Sequence, residues 1–230
     1  AKEGGATVTV TMNTTGSVYV YSGGAFIDTT NSTITVSTPL RAPTGYGVTG
    51  ITLTGNGAGY IGTPFVLIRG GNGTGATAIA QMDLTLGQVT NILVTCPGSG
   101  YLAGDTLTVN LIGGGFTAPA TVSTVSLGVN AGGGLTKLGG GTLLLTTNNL
   151  YTGATVINAG TLQFTNSGSL YNAGTNAGTI TINSGGTLLF SRTNTFCALS
   201  STSAVSIVIN QGGLIQNGAF FNTLNDITLS

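Results

Sequence analysis

The chain has 230 residues, and charged residues make up only 4% of it, against about 25% in an ordinary soluble domain. Five basic and five acidic side chains balance to a net charge of zero, which leaves no positive surface for nucleic acid or an anionic membrane. Hydrophobic residues reach 40%, too many for a disordered chain, and no apolar run approaches the roughly 18 residues of a transmembrane helix. β-branched residues alternate with polar ones between Gly and Asn, and convincing amphipathic helices are absent, so we predict an all-β fold.

Residues 1–45 are predicted to form a set of N-terminal strands or rungs. Apolar and polar residues alternate in 6–11 and again in 17–21, which is the period of a strand with one buried face. The prolines that follow, Pro39 and Pro43, are predicted to mark a boundary.

Residues 46–124 contain an internal duplication. The segment 48–60 aligns without gaps to 89–101, and both copies end in Gly-x-Gly-Tyr, with Tyr101 lying 41 positions after Tyr60. Two such copies predict a compact β-module, inserted in or preceding the rest of the chain. A tyrosine exposed on such a turn is suited to stacking on a sugar ring, but we favour the alternative that each ring folds back over the core with its hydroxyl bonded to the backbone.

Residues 125–230 carry a recurring Gly-Thr-Leu phrase, at 141–145, 160–164 and 186–190, with a looser copy at 213–217. The equivalent apolar positions are 19, 26 and 27 residues apart, which is the repeat length of a solenoid, in which each repeat is one coil stacked on the last. Because side chains alternate across a strand, one set of residues is predicted to face inward and form a core stack: Leu143, Leu145, Leu162, Phe164, Leu188, Phe190 and Ile215.

Asn and Gly recur between the paired strands and are predicted to form the corners of the coils. Glycine supplies the positive φ that such corners need, and asparagine tolerates it next best. Stacked in successive coils, the asparagines are expected to hydrogen-bond one another in a ladder. The corner residues are Asn158, Gly160, Asn183, Gly186, Asn210 and Gly213.

The stretch 134–162 begins Gly-Leu-Thr-Lys and continues through Gly-Gly-Thr-Leu, Asn-Leu-Tyr-Thr-Gly and Ala-Gly-Thr-Leu. It closely resembles the passenger-associated transport repeat of bacterial autotransporters, and degenerate rungs extend the resemblance to Ser230. The resemblance implies a right-handed parallel β-helix exported to the surface of a Gram-negative-type cell. Leu138 departs from the pattern, which usually has a small or polar residue there.

The sequence offers little for catalysis. The acids are scattered, whereas acid–base chemistry on a glycan needs two carboxylates, or a carboxylate with a cation, in one cleft. Histidine is absent, which excludes the usual nucleophilic triads, and metal-ligand spacing is missing. Cys96 and Cys197 lie 101 positions apart, and whether they pair stays open. We expect no enzymatic activity, no cofactor and no metal.

Two functions remain. The first is an extracellular structural protein, a β-solenoid subunit of a bacterial surface fibre, sheath or layer that assembles with copies of itself. The alternative is the passenger fragment of an autotransporter-like adhesin that binds a cell-surface protein or glycan. The chain stops just before a further Gly-Gly-Thr-Leu is expected, so we expect more protein or another subunit to cover that end.

Overall fold

A computed structural model describes residues 7–10, 18–165, 169–170, 178–191, 206–218 and 226–230. Every regular element within these residues is a β-strand, so the described part of the chain contains no helix of the length and hydropathy that a membrane span requires. The chain divides into two compact units. We call residues 1–42 with 131–230 the coil unit, and residues 43–130 the inserted unit.

Strands are numbered in chain order. Those of the coil unit are β1 (Thr7–Val10), β2 (Val18–Tyr19), β3 (Ala25–Asp28), β4 (Thr33–Val36), β5 (Leu40–Arg41), β12 (Leu135–Leu138), β13 (Thr142–Leu145), β14 (Asn148–Asn149), β15 (Thr155–Ile157), β16 (Gly160–Phe164), β17 (Ser169–Leu170), β18 (Ile180–Ile182), β19 (Gly186–Phe190), β20 (Ser206–Ile209), β21 (Leu214–Asn217) and β22 (Asp226–Leu229). Those of the inserted unit are β6 (Tyr46–Gly55), β7 (Phe65–Gly70), β8 (Thr74–Asp83), β9 (Gln88–Ser99), β10 (Leu107–Ile112) and β11 (Thr121–Val129).

The coil unit is built from parallel sheets. One six-stranded sheet has the order β1-β4-β13-β16-β19-β21, and the other has the order β3-β12-β15-β18-β20-β22. Shorter parallel pairs, β2 with β5 and β14 with β17, are linked through a bridge between Arg41 and Leu150. The chain therefore visits the sheets in a repeating cycle, as in β12, β13 and β14. This arrangement is consistent with the predicted β-solenoid.

Two coils that are neighbours in the sheets are separated in sequence by the whole inserted unit. Ala25 pairs directly with Leu135, and Ile34 pairs directly with Leu143. The breaks between the units fall at 42/43 and 130/131, a few residues from the boundaries at 45/46 and 124/125 that the sequence predicts. The described strands of 1–45 belong to the same unit as those after 131, because β3 pairs with β12 and β4 pairs with β13.

The inserted unit contains three antiparallel pairs, β6 with β11, β8 with β9, and β7 with β10. Its core includes Val48 and Val89, both fully buried. Its two ends meet, because Tyr46 pairs with Val129 and the Asn130 N–H donates to the Gly45 carbonyl oxygen at 2.9 Å. The chain thus leaves this unit beside the point where it enters.

Candidate functional site

The residues predicted to stack form two columns through the coil unit. Leu143, Leu162 and Leu188 are consecutive register partners, and none of the three is exposed to solvent. The half-buried Ile215 follows them. A second column contains the buried side chains of Leu145, Phe164 and Phe190. Burial of each such side chain contributes about 1.5–3 kcal/mol.

The corner asparagines bond from coil to coil. The Nδ2 of Asn183 donates to the Oδ1 of Asn158 at 2.6 Å, and the Nδ2 of Asn210 donates to the Oδ1 of Asn183 at 2.6 Å. The Ser230 hydroxyl then donates to the Oδ1 of Asn210 at 2.6 Å. Every inner amide is thus both donor and acceptor, which links successive coils through their side chains as well as their backbones.

The corner glycines serve two different purposes, which corrects the expectation that each supplies a positive φ. Gly160 does so, with φ of 65°, but at the next two corners the positive φ lies one residue earlier, at Gly185 and Gly212. At Gly186 and Gly213 a Cβ would lie 2.6 Å from a carbonyl oxygen of the preceding coil. These two positions require glycine because the neighbouring backbone approaches so closely.

Lys137 is completely buried in β12. Its Nζ donates to the carbonyl oxygens of Leu138 at 2.9 Å, Gly139 at 2.7 Å and Ala159 at 2.9 Å. The first two acceptors belong to its own corner and the third to the next coil, so one ammonium group links two coils. Burial lowers the pKa of Lys137, and the negative charge of Asp28 opposes that change.

Two more polar side chains are buried in these coils, Asn149 in β14 and Tyr151 just after it. The Asn149 Oδ1 accepts from the Leu40 N–H at 3.1 Å, and its Nδ2 donates to the Thr147 carbonyl oxygen at 2.8 Å. The Tyr151 hydroxyl lies 2.6 Å from the Thr155 hydroxyl. Burial raises the pKa of Tyr151 well above its ordinary value. Both residues lie inside the coil and satisfy polar atoms that water does not reach.

The tyrosines of the two Gly-x-Gly-Tyr turns are also buried. Tyr60 is 3% exposed and Tyr101 is 4% exposed. The Tyr60 hydroxyl accepts from the Ala120 N–H at 3.0 Å, and the Tyr101 hydroxyl is hydrogen-bonded by the backbone of Ala76. Burial raises the pKa of Tyr101, with the Ala76 hydrogen bond opposing it. The geometry thus contradicts the use of these rings for stacking on a glycan, because their faces are covered by protein.

The described acids of the inserted unit stabilise turns. Asp105 accepts from the Asn72 N–H at 2.8 Å, the Asn72 Nδ2 at 2.7 Å and the Leu102 N–H at 2.9 Å. These hydrogen bonds hold the pKa of Asp105 below its ordinary value. Asp83 accepts from two backbone N–H groups of the turn that follows it. Among the residues that the structure describes, no three His, Cys, Asp or Glu side chains gather as metal ligands would.

Sequence reasoning missed Lys137, Asn149 and Tyr151 as structural centres. The alternation in β12 carried a signal, because Lys137 lies two positions after the inward-facing Leu135. A lysine on an apolar face predicts an inward ammonium that needs several acceptors. Cys96 is half-buried in β9, and Cys197 lies outside the described residues.

Residues 135–164 match the family described as passenger-associated-transport-repeat, which confirms the resemblance seen in the sequence. The matched segment spans β12 to β16 and includes the three buried polar residues that close these coils. No curated protein and no solved structure matches this chain. The chain therefore carries a repeat of autotransporter passengers, which indicates a passenger-type protein exposed at the cell surface or secreted.

Proposed function

We propose that this protein is a non-enzymatic structural subunit of an extracellular bacterial surface fibre, sheath or layer, and that it assembles with copies of itself. The observation that carries the proposal is the in-register stacking of coils in the coil unit. Each added coil repeats the backbone pairing, the core columns and the asparagine ladder of the last. Such a structure extends in one dimension through nearest-neighbour contacts.

The charge of the chain supports self-association. A net charge of zero and a charged fraction of 4% leave little electrostatic repulsion between copies. Lysine and proline, which commonly guard strand edges against pairing, are scarce in this chain. This composition favours assembly over persistence as a monomer at high concentration.

We further propose that the coil unit is a parallel β-helix interrupted by a duplicated module. The two Gly-x-Gly-Tyr turns support the duplication by making equivalent contacts. A Cβ at Gly57 would lie 2.6 Å from the Ala120 nitrogen, and a Cβ at Gly98 would lie 2.6 Å from the Ala76 nitrogen. The strand pairing agrees with a duplication. The pair β6 with β11 corresponds to the pair β9 with β8, and the pair β7 with β10 joins equivalent strands of the two copies.

No catalytic role, cofactor or metal is part of the proposal. Asp83 and Asp105 hold turns through hydrogen bonds to backbone N–H groups, and each lies in a separate turn. The buried Lys137 is bonded to three carbonyl oxygens. These groups are engaged in holding the fold together.

Negative-stain electron microscopy of the purified chain at micromolar concentration tests the proposal. We expect long filaments or sheets of uniform width, which become shorter and rarer on dilution. Discrete short rods at every concentration would refute the structural-subunit proposal. A matched sample denatured in urea and not refolded controls for nonspecific aggregation, because disordered aggregates lack a uniform width.

An adhesin remains the second candidate, and one observation favours it. The inserted unit interrupts a coil without disturbing the pairing of the coils on either side, as expected of a module presented for binding. Discrete rods that bind members of a glycan array, or bind whole cells, would favour this function. Loss of that binding when residues 43–130 are deleted would assign it to the inserted unit.

A further inference from the structure

The inserted unit exposes ten large apolar side chains, and six of them form a group that we call the Ile61 patch. Their exposed fractions range from 41% to 86%, whereas the unit's core side chains are below 9% exposed. The patch consists of Ile61 (86%), Phe65 (65%), Leu84 (69%), Leu86 (64%), Ile112 (50%) and Phe116 (41%).

Backbone pairing brings four of these residues together. Phe65 and Ile112 are register partners of the pair β7 with β10, and both face solvent. The Ile61 N–H donates to the Gly114 carbonyl oxygen at 2.9 Å, which brings Ile61 beside the segment that ends in Phe116. Since Ile112 lies at the start of that segment, the four residues lie around one loop.

The turn between β8 and β9 adds the two leucines. The Tyr60 N–H donates to the Gly87 carbonyl oxygen at 3.0 Å, so the end of this turn lies beside Ile61. The Tyr60 ring also lies against Phe116, with ring centroids 5.2 Å apart. Leu84 and Leu86 therefore lie at the edge of the same apolar surface.

The patch is built from residues of both copies of the duplicated module, and the repeat does not reproduce it. At the offset of 41 residues, the repeat relates Phe65 to Thr106 and Ile112 to Gly71. Thr106 is polar, and Gly71 carries no side chain. Among the aligned positions only Ile61 has an exposed apolar counterpart, Leu102, so the repeat fold alone does not require the patch.

A second exposed apolar pair on the same unit provides a contrast. Ile79 and Leu93 are register partners, 51% and 46% exposed. On this face a threonine–threonine hydroxyl bond of 2.8 Å lies on one side of the pair and an Asn91–Gln81 amide bond of 2.8 Å on the other. Isolated apolar residues between polar neighbours are ordinary on a protein surface.

We infer that the Ile61 patch is a self-association surface that binds the same patch of a second copy of this chain. The inference rests on the proposed self-assembly and names one surface that mediates it. The Lys, Arg, Asp and Glu residues of the inserted unit are Arg69, Asp83 and Asp105, and none belongs to the patch. The nearest of them in sequence, Asp83, is bonded to the backbone N–H groups of Thr85 and Leu86, so two copies bring apolar side chains together without burying an unpaired charge.

The area is sufficient for a specific pair. With about 170 Å² for a fully exposed large apolar side chain, the exposed fractions amount to about 600 Å² per copy. Two copies then bury about 1,200 Å², the lower limit of specific interfaces. With one such patch in the described part of each chain, the contact is isologous and closes as a dimer, so filament growth uses other contacts.

Sedimentation velocity of the full chain over the micromolar range tests the inference. Wild type is expected to form dimers whose fraction rises with concentration. The double variant Phe65→Thr/Ile112→Thr is expected to dimerise at least about tenfold more weakly, because central apolar anchors dominate such interfaces. Ile79→Thr/Leu93→Thr is the matched control, since threonine suits a strand equally in both pairs, and its dimerisation is expected to stay within about twofold of wild type.

Equal dimerisation of the patch variant and wild type would overturn the inference, and so would equal weakening of both double variants. Electron microscopy of the same samples separates this failure from that of the proposed function. If the wild type forms filaments and the patch variant dimerises as strongly as wild type, the proposed self-assembly is supported and the role of the Ile61 patch is refuted. A wild type that forms neither filaments nor dimers refutes both. Monomeric wild type that binds phosphatidylcholine vesicles, with binding lost in the patch variant, replaces the second copy with a lipid surface.

Discussion

Replacing Lys137 by methionine tests whether its ammonium group holds two coils together. Methionine keeps an unbranched side chain but removes the charge and all three N–H donors. The carbonyl oxygens of Gly139 and Ala159 lose the bonds of 2.7 and 2.9 Å that Lys137 donates. The Leu138 oxygen keeps two donors, the Thr29 N–H at 3.0 Å and the Thr29 hydroxyl at 3.2 Å.

The magnitude follows from these bonds. A hydrogen bond to a charged group contributes about 1.5–3 kcal/mol, but the three bonds share a single charge and do not add. On folding, the wild type also pays the free-energy cost of removing the ammonium group from water, and the methionine variant avoids this cost. We expect Lys137→Met to lower the free energy of unfolding by about 3 kcal/mol and the Tm by about 6–12 °C.

Urea unfolding and thermal melting followed by circular dichroism measure these changes. Arg41→Met is the matched control, because it removes an exposed cation from the coil unit. It is expected to change stability by less than about 0.5 kcal/mol. A Lys137→Met variant as stable as wild type would refute the reasoning, since it would mean that the desolvation cost equals or exceeds the contribution of the three bonds.

Three further predictions address the corners and the interior. Gly186→Ala places a Cβ 2.6 Å from a carbonyl oxygen and is expected to cost about 3 kcal/mol, whereas Gly185→Ala meets no atom within 4 Å and costs only the positive-φ strain of about 1–2 kcal/mol. Equal costs in urea unfolding would contradict this division. Asn183→Ala removes two ladder bonds and is expected to cost about 1–2 kcal/mol in the same assay, while the exposed-corner control Ser184→Ala should stay near wild type. Because burial raises the pKa of Tyr151 above 10.0, its contribution is complete below pH 10 and is lost as pH rises from there towards the folded pKa, by up to about 1.4 kcal/mol per pH unit. Tyr151→Phe should make alkaline unfolding less steep, and an unchanged slope would count against the assignment.

Much of the structure of the coil unit could be predicted from the local sequence pattern. Strand alternation and the repeated Gly-Thr-Leu phrase predict which face of each strand is apolar, and the structure buries Leu162 and Phe164 on that face. The spacing of Asn158 and Asn183 predicts a ladder, and their side chains lie within hydrogen-bond distance. These features depend on period and repeat length, which a single chain displays directly.

Other features required the folded chain. Glycine content predicted where the corners lie. It could not distinguish Gly185, which has a positive φ, from Gly186, which the neighbouring backbone approaches closely, because that approach depends on the preceding coil. The six residues of the Ile61 patch are scattered from 61 to 116 in sequence. Their proximity depends on the pairing of β7 with β10 and on the contact between Tyr60 and Gly87.

The sequence by itself determined the all-β class, the repeat and the resemblance to autotransporter passengers, because these are properties of composition and spacing. Only the tertiary structure decided which coils are neighbours across the inserted unit, where Leu40 meets Asn149 over 109 positions. It alone also brought the Ala159 carbonyl oxygen of one coil to the Lys137 ammonium of another. The physical reason is that both contacts depend on how the backbones of separate coils stack, and local preference carries no information about that.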